Sequence, residues 1–501
     1  LNPINQDINW DRGMDIKGAK ELGLRSLEIC KGLGATYTDI RVIHTLGQSI
    51  VTKNRRIGSI HQAENIGFGI RVTVDGCWGF ASSSELNKGA IDDVSKRAVQ
   101  IARSSAQIKK AMVKLAPSER YIAKWSTPYL IDPFNTSLDE KIAVLLEVEE
   151  ILSSVKGVKI TTASMDFQKR HQLFLSSEGS VIEQLILWSG AGYSATAVDG
   201  GETQTRSYPA SFGGQHSSAG YELIPSLKLK ENAQRIAEEA VALLTADPCP
   251  SDEKDLILGS SQLALQIHES CGHPVELDRV LGSEANFAGT SFLTLEKLNK
   301  FQYGSPLVNI FADSISPGGL GTFGYDDEGI PAQRWDIVRE GKFVGYLTSR
   351  ETAQVIGLEG SQGAMRADGY NRIPLIRMVN ISLKPDKGSL EELISDTEDG
   401  IFMDTNRCWS IDQQRLNFQF GCEIGWEIKK GRRVKLLKNP TYWGITPEFW
   451  GSCDAICGQG EWILWGVLNC AKGEPGQLIG VGHGTAPARF RGIKVGVGYA
   501  R

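Results

Sequence analysis

His268, Glu269 and His273 fall within six residues of one another in the stretch "LALQIHESCGHPVELDR" (263–279). Imidazoles this close suit a shared metal ion, and two neutral imidazoles suit Zn2+. A glutamate beside the first of them can take a proton from a metal-activated water. The spacing of five does not fit a straight helix. It amounts to ~500° of rotation and leaves the side chains about 140° apart, where an i,i+4 pair would be only ~40° apart. Gly272 and Pro274 flank His273, and proline disfavours the α conformation in the residue before it. The helix is therefore expected to end or widen into a π-type turn that swings His273 back beside His268.

A catalytic zinc takes three protein ligands and keeps one open position. Spacing leaves the third ligand undecided. Cys271, Glu276 and Asp278 are the near candidates; Cys453, Cys457, Cys470 and His483 are the remote ones. The bland alternative is a pair of histidines ending a helix, where the dipole favours imidazolium.

The elements that must position these residues can be sketched from pattern. Ser260 and Ser261 are read as caps of a helix over 262–272 with Leu263, Leu265 and Ile267 buried, after a strand at 255–259. Upstream, strands are expected at 39–46 and 66–74, and helical periodicity runs through 85–106. Ser137-Leu138-Asp139-Glu140 opens a second helix with a capping-box pattern. Residues 173–198 read as a β-hairpin turning at Ser177–Gly179, and 229–246 as a third amphipathic helix. "DPCPSDEKD" (247–255) is the best linker, and strands and turns dominate beyond it, as in 374–384 and 415–438.

The bulk numbers narrow the class. A chain of 501 residues, 41% hydrophobic and 23% charged, fits two or three soluble domains. With 54 basic and 59 acidic residues interspersed, nothing suggests a nucleic-acid binder. No apolar run is long enough to span a bilayer. Nine scattered cysteines fit reduced thiols and a cytoplasmic location. Residues 1–15 lack a secretory leader pattern, so the acceptor-like Asn135-Thr136-Ser137 and Asn380-Ile381-Ser382 carry no glycosylation meaning.

Beyond the hexapeptide, the chain resembles the TldD/PmbA family of zinc metalloproteases, and specifically its catalytic TldD branch. His268-Glu269-Ser270-Cys271-Gly272-His273 is similar to that family's HExxxH signature. The likeness extends to 35–42, 64–83, "HPVELDR" (273–279), "YDDEGIPAQ" (325–333), "GKFVGYL" (341–347), "RMVN" (377–380) and 469–498. The resemblance implies Zn2+ held by His268, His273 and a C-terminal cysteine, carried over onto Cys470, with Glu269 as general base. Cys271 then fits only by accident of spacing, and Glu276 and Asp278 become groups that orient the histidines. His483 stands where relatives tend to have an uncharged residue; it is read as a strand residue or as a polar group near the metal, even the oxyanion's partner.

These readings make an α+β protein: an N-terminal mixed α/β domain (1–246, with a split near 125) and a C-terminal strand-rich, antiparallel or barrel-like domain (247–501) carrying the metal-binding helix. The expected function is hydrolysis of unfolded or flexible peptides, such as leader or antitoxin-like segments. The expected partner is a TldE/PmbA-like paralogue, which lacks the intact signature, or a second copy of the chain. The alternative is a non-catalytic, zinc-stabilised regulatory or scaffold protein, since members of the family have been called modulators of DNA gyrase.

Other signals weigh less. Gly319–Gly324 satisfies GxGxxG but lacks the strand before and the helix after it. Asp326, Asp327 and Glu328 read as a solvated turn rather than a cation site. Cys453 and Cys457 lack a second cysteine pair for a structural zinc. Trp443, Trp450, Trp462 and Trp465 read as core or interface.

Overall fold

Strands of unusual length govern the N-terminal half. The computed structural model describes residues 14–108, 111–473 and 475–497. The leader reading over 1–15 falls almost wholly outside them, as do Glu474 and Gly498 of the 469–498 stretch. Tyr37–Lys53, Arg56–Val74, Val158–Ser176 and Val181–Asp199 are neighbouring antiparallel strands of an eight-stranded sheet, flanked by Cys77–Ser83 and Ile122–Ser126. Strands of up to 19 residues reach roughly 60 Å, enough for two helix pairs side by side on one face. Ile16–Gly32 and Lys88–Ala106 pack over Ile40, Val42, Leu173 and Leu175. Leu138–Ser154 and Leu229–Thr245 pack over Ile50, Met165 and Phe167 on the same strands. Side chains of one parity thus meet helices at both ends. The Ser177–Gly179 turn lies between its two strands, and Ser137 accepts from Glu140 N as the N-cap.

The opposite parity faces the C-terminal half and is ionic. Arg41 reaches Asp327 at 3.3 Å, and Arg71 bridges Asp39 at 2.7 Å and Glu328 at 3.2 Å, all buried. The solvated turn expected at Asp326–Glu328 is therefore wrong: these carboxylates are 2%, 7% and 3% exposed. Asp326 accepts from the amides of Glu328, Ile330 and Met365, closing its own turn.

Downstream, five strands close a barrel in the order Asp399–Ile411, Asp252–Leu258, Ala488–Val497, Pro440–Ile445, Asn417–Lys429 and back to the first. Beside it lies a six-stranded sheet whose last neighbours are Asn380–Leu383, Gln477–Thr485 and the edge strand Ile463–Lys472. The α+β class with a barrel-like C-terminal part holds. The linker at 247–255 is corrected: Asp247–Pro248 pairs with Leu437–Lys438, and Asp252 already belongs to a barrel strand. The single strand expected at 374–384 is two, Leu375–Ile376 and Asn380–Leu383, because Arg377 between them turns inward to the carbonyls of Cys470 and Gln477. In the GxGxxG stretch, Gly321 N donates to Asn380 Oδ1 at 2.9 Å, an internal brace. No helix among the described residues is long and apolar enough to cross a membrane.

Candidate metal centre

The helix that carries the histidine pair spans Ser260–Ile267, and it starts earlier than the serines suggested. Gly259 is the N-cap, its Cα pressed against Asp404, and neither serine caps it. Ser261 instead donates to Asp404 at 3.0 Å, and Ser260 receives the Trp465 indole N–H at 3.2 Å. From His268 to Gly272 the chain forms a π turn, and His273–Val275 continues as a 3-10 turn. Bonding from i to i+5 brings residues five apart back to one face. The His268 and His273 rings meet with centroids 4.9 Å apart at 89°. Gly272 makes the turn possible, since a Cβ there would lie 2.1 Å from Met378 Sδ. Trp450 Nε1 and Tyr303 OH hold Ser270 from outside, each at 3.0 Å.

Cys470 enters from the edge strand Ile463–Lys472, just after a bulge between Val467 and Cys470. Its Sγ lies 3.9 Å from His273 Nε2. One donor atom each from His268, His273 and Cys470 lie within 4.8 Å of one another, and this is the one such metal-type cluster among the described residues. All three side chains are buried.

Hydrogen bonds fix which ring nitrogens are free. His483 Nδ1 faces the Ile381 carbonyl at 3.0 Å, so it must carry the proton. Burial holds His483 neutral, its pKa well below the usual histidine value. Its Nε2 therefore accepts from His268 Nδ1–H at 2.8 Å, which leaves His268 Nε2 a bare lone pair. His273 Nδ1 donates to Glu276 Oε2 at 3.0 Å, so its Nε2 is bare as well. For Cys470, burial pushes the thiol up, but Arg377 and His273 outweigh it and the pKa ends lowered. Two neutral imidazoles and an easily ionised thiol are the donor set zinc takes.

Glu269 is buried, which raises its pKa, yet positive charge around it brings it below the usual glutamate value: His273 and His268 when they are protonated, and Arg415 permanently. Arg415 Nη1 binds Glu269 Oε2 directly. The donors, Glu269 and Arg415 line one cavity of about 280 Å3 with Trp409, Trp465 and Val467.

The other residues raised by sequence lie further out. Glu276 orients His273. Asp278 touches no histidine; it accepts from Lys472 Nζ at 2.7 Å, and Lys472 in turn stands 3.5 Å from Glu276. His483 sits behind His268 and does not line the cavity; what it does here is orient His268. Cys271 is buried in the main core, and Cys453 and Cys457 are buried thiols pushed up to about 12, apart from the cluster. All nine cysteines are unpaired. Trp450 is core and Trp462 braces the Leu383 carbonyl, whereas Trp465 borders the metal cavity and Trp443 is 38% exposed. Sequence reading missed Arg415 and Arg377. Arg415 sits in a left-handed turn between two strands, and nothing local in "QQRLN" marks it.

Comparison with known proteins agrees in extent. The PmbA/TldA metallopeptidase C-terminal domain matches residues 251–496, domain 1 matches 38–102, and the central domain matches 131–246. A metalloprotease of Methanothermobacter thermautotrophicus is 30% identical over 464 residues, covering 92% of this chain and 95% of its own. A zinc metalloprotease TldD homolog of Saccharolobus solfataricus is 22% identical, covering 93% of this chain and 97% of its own. The crystal structure of TldE from Thermococcus kodakarensis shares the fold, with a TM-score of 0.72 at 16% identity over 96% of this chain and all of that one. The chain, matched along most of its length, belongs to the PmbA/TldA metallopeptidase family, also written TldD/PmbA.

Proposed function

We propose that the protein is a zinc-dependent peptidase in which His268, His273 and Cys470 hold Zn2+ and Glu269 is the general base. The observation that carries this is the convergence of three buried donor atoms within 4.8 Å, in a cavity that Glu269 and Arg415 also line. Zinc bound there would polarise a peptide carbonyl and ease the ionisation of a water. Glu269, kept ionised, accepts the attacking water's proton and hands it to the leaving amine. Arg415 orients Glu269 and lends positive charge to the side of the cavity where negative charge develops.

The substrates are unfolded or flexible peptides. An extended peptide can lie along the edge strand Ile463–Lys472, which borders the cavity, through main-chain bonds that ignore sequence. The partner is a TldE/PmbA-like paralogue or a second copy. A cluster of three donors rather than four favours catalysis over a purely structural zinc. The test is fragment mass spectrometry on an unfolded protein, comparing wild type, Glu269→Gln and chelated wild type, with zinc assayed alongside. Glu269→Gln should keep zinc and lose cleavage. Zinc without cleavage, even with candidate partners added, would overturn the reading in favour of the regulatory one.

A further inference from the structure

We propose that the segment 209–215 forms, with Trp409, a side-chain pocket that selects peptides carrying a large apolar, above all aromatic, residue next to the bond to be cut. The proposal rests on the peptidase reading. Its starting observation is an oddity at the cavity mouth: Phe212 is 53% exposed and Trp409 is 39% exposed, though each could have been polar. Their rings meet edge to face, centroids 5.5 Å apart at 86°. Both line the cavity that holds the three donors, and Leu265 and Val467 extend its apolar wall. Trp409 and Glu269 line the same cavity, so the pocket adjoins the group that handles the proton.

The segment is held there by construction. Phe212, Gly213 and Gly214 have φ of 59°, 93° and 94°, a left-handed run that a bulky residue enters only when its surroundings impose it. Gly214 presses on the strand beneath, where a Cβ would lie 2.1 Å from the Ala191 carbonyl oxygen. Gln215 is the anchor. Its Nε2 donates to the Leu464 carbonyl at 2.8 Å, and its Oε1 accepts from Gly466 N at 3.0 Å. A residue of an added parallel strand would make that same pair of bonds to the flanking positions i−1 and i+1. The side chain thus closes the edge of Ile463–Lys472 as far as Gly466 and leaves 467–469 uncovered, just before Cys470, whose carbonyl Arg377 holds. A peptide on that remaining edge passes under Phe212 and Trp409. An aromatic side chain completes the edge-to-face cluster, while a charged one loses its hydration for nothing.

The test separates binding from turnover. Two acetylated, amidated alanine-rich peptides that differ at one central position, Phe or Ala, are titrated calorimetrically into the chelated full-length protein. Wild type should bind the Phe peptide at least about tenfold more tightly. Phe212→Asn, a residue that tolerates the left-handed backbone, should cut the preference to about threefold or less without changing the affinity for the Ala peptide. Gln215→Leu should do the same with Phe212 still in place. Equal affinities in wild type, or a preference that survives Phe212→Asn, would overturn the pocket. Cleavage of unfolded proteins without this discrimination sinks the pocket and spares the peptidase; discrimination without cleavage does the reverse.

Discussion

His483 Nε2 lies 2.8 Å from His268 Nδ1, and the Ile381 carbonyl on the far side of His483 dictates the direction of the proton between them. A strand residue 215 positions away thus sets which nitrogen of His268 is free. His483→Ala should weaken zinc binding by roughly 10- to 100-fold, the usual cost of losing such a partner. Competition with a calibrated chelator reads this directly, and an unchanged zinc affinity would refute the relay.

Arg415→Met removes the cation that faces Glu269 and leaves the three donors alone. Zinc content should stay stoichiometric while the cleavage rate falls by about 10- to 100-fold. A fall in zinc content matching the fall in rate would assign Arg415 to holding the site together.

Gly272→Ala places a methyl against Met378 Sδ. Destabilisation of about 1–3 kcal/mol is expected, together with a loss of zinc as the π turn is pushed open. Adding Met378→Ala should restore zinc, because the collision is with that side chain. Failure of the double variant to recover would mean that the turn needs glycine for its backbone.

Asp327→Ala strips the partner from buried Arg41 and from Gln172, whose Nε2 donates to it at 2.7 Å. An uncompensated buried guanidinium costs about 3–5 kcal/mol. Urea unfolding should show a loss of that size, and a change below 1 kcal/mol would say that the contact between the two halves is stabilised elsewhere.

Lys141 is buried on helix Leu138–Ser154, its Nζ donating to the Pro133 carbonyl at 2.6 Å and to Gln48, and burial lowers its pKa to about 8. Below that value the folded state carries the full cost of a charged ammonium. As pH climbs from about 8 toward 10.5, the unfolded chain binds the extra proton, so stability at this site rises with pH. Wild type should therefore gain up to about 3 kcal/mol relative to Lys141→Met between pH 7 and 10.5, in paired denaturation curves. Parallel pH profiles for the two proteins would contradict it.

What could be read from the chain was what is decided locally. Ser137 announced its helix, Ser177–Gly179 its turn, and Gly272 with Pro274 the widened helix end. The misreadings share a cause. Asp327 and Glu328 look like a polar turn because their arginines lie 286 and 257 residues away, on a sheet face invisible to any window of sequence. The capping serines were misjudged because Gly259 packs against Asp404, a neighbour that only barrel closure supplies. Arg415 left no trace, since an arginine in a turn is ordinary until the fold aims it at a glutamate 146 positions earlier.

The separation of 197 positions between His273 and Cys470 also sets an order of events during synthesis. A chain emerging N-terminus first folds its long sheet, makes the histidine turn, and still has only two of the three donors. The third arrives on one of the last strands, after most of the barrel exists. On the proposed reading, a chain cut short before Cys470 would keep both histidines yet lack the third donor, so it would be expected to be inactive toward the unfolded proteins around it.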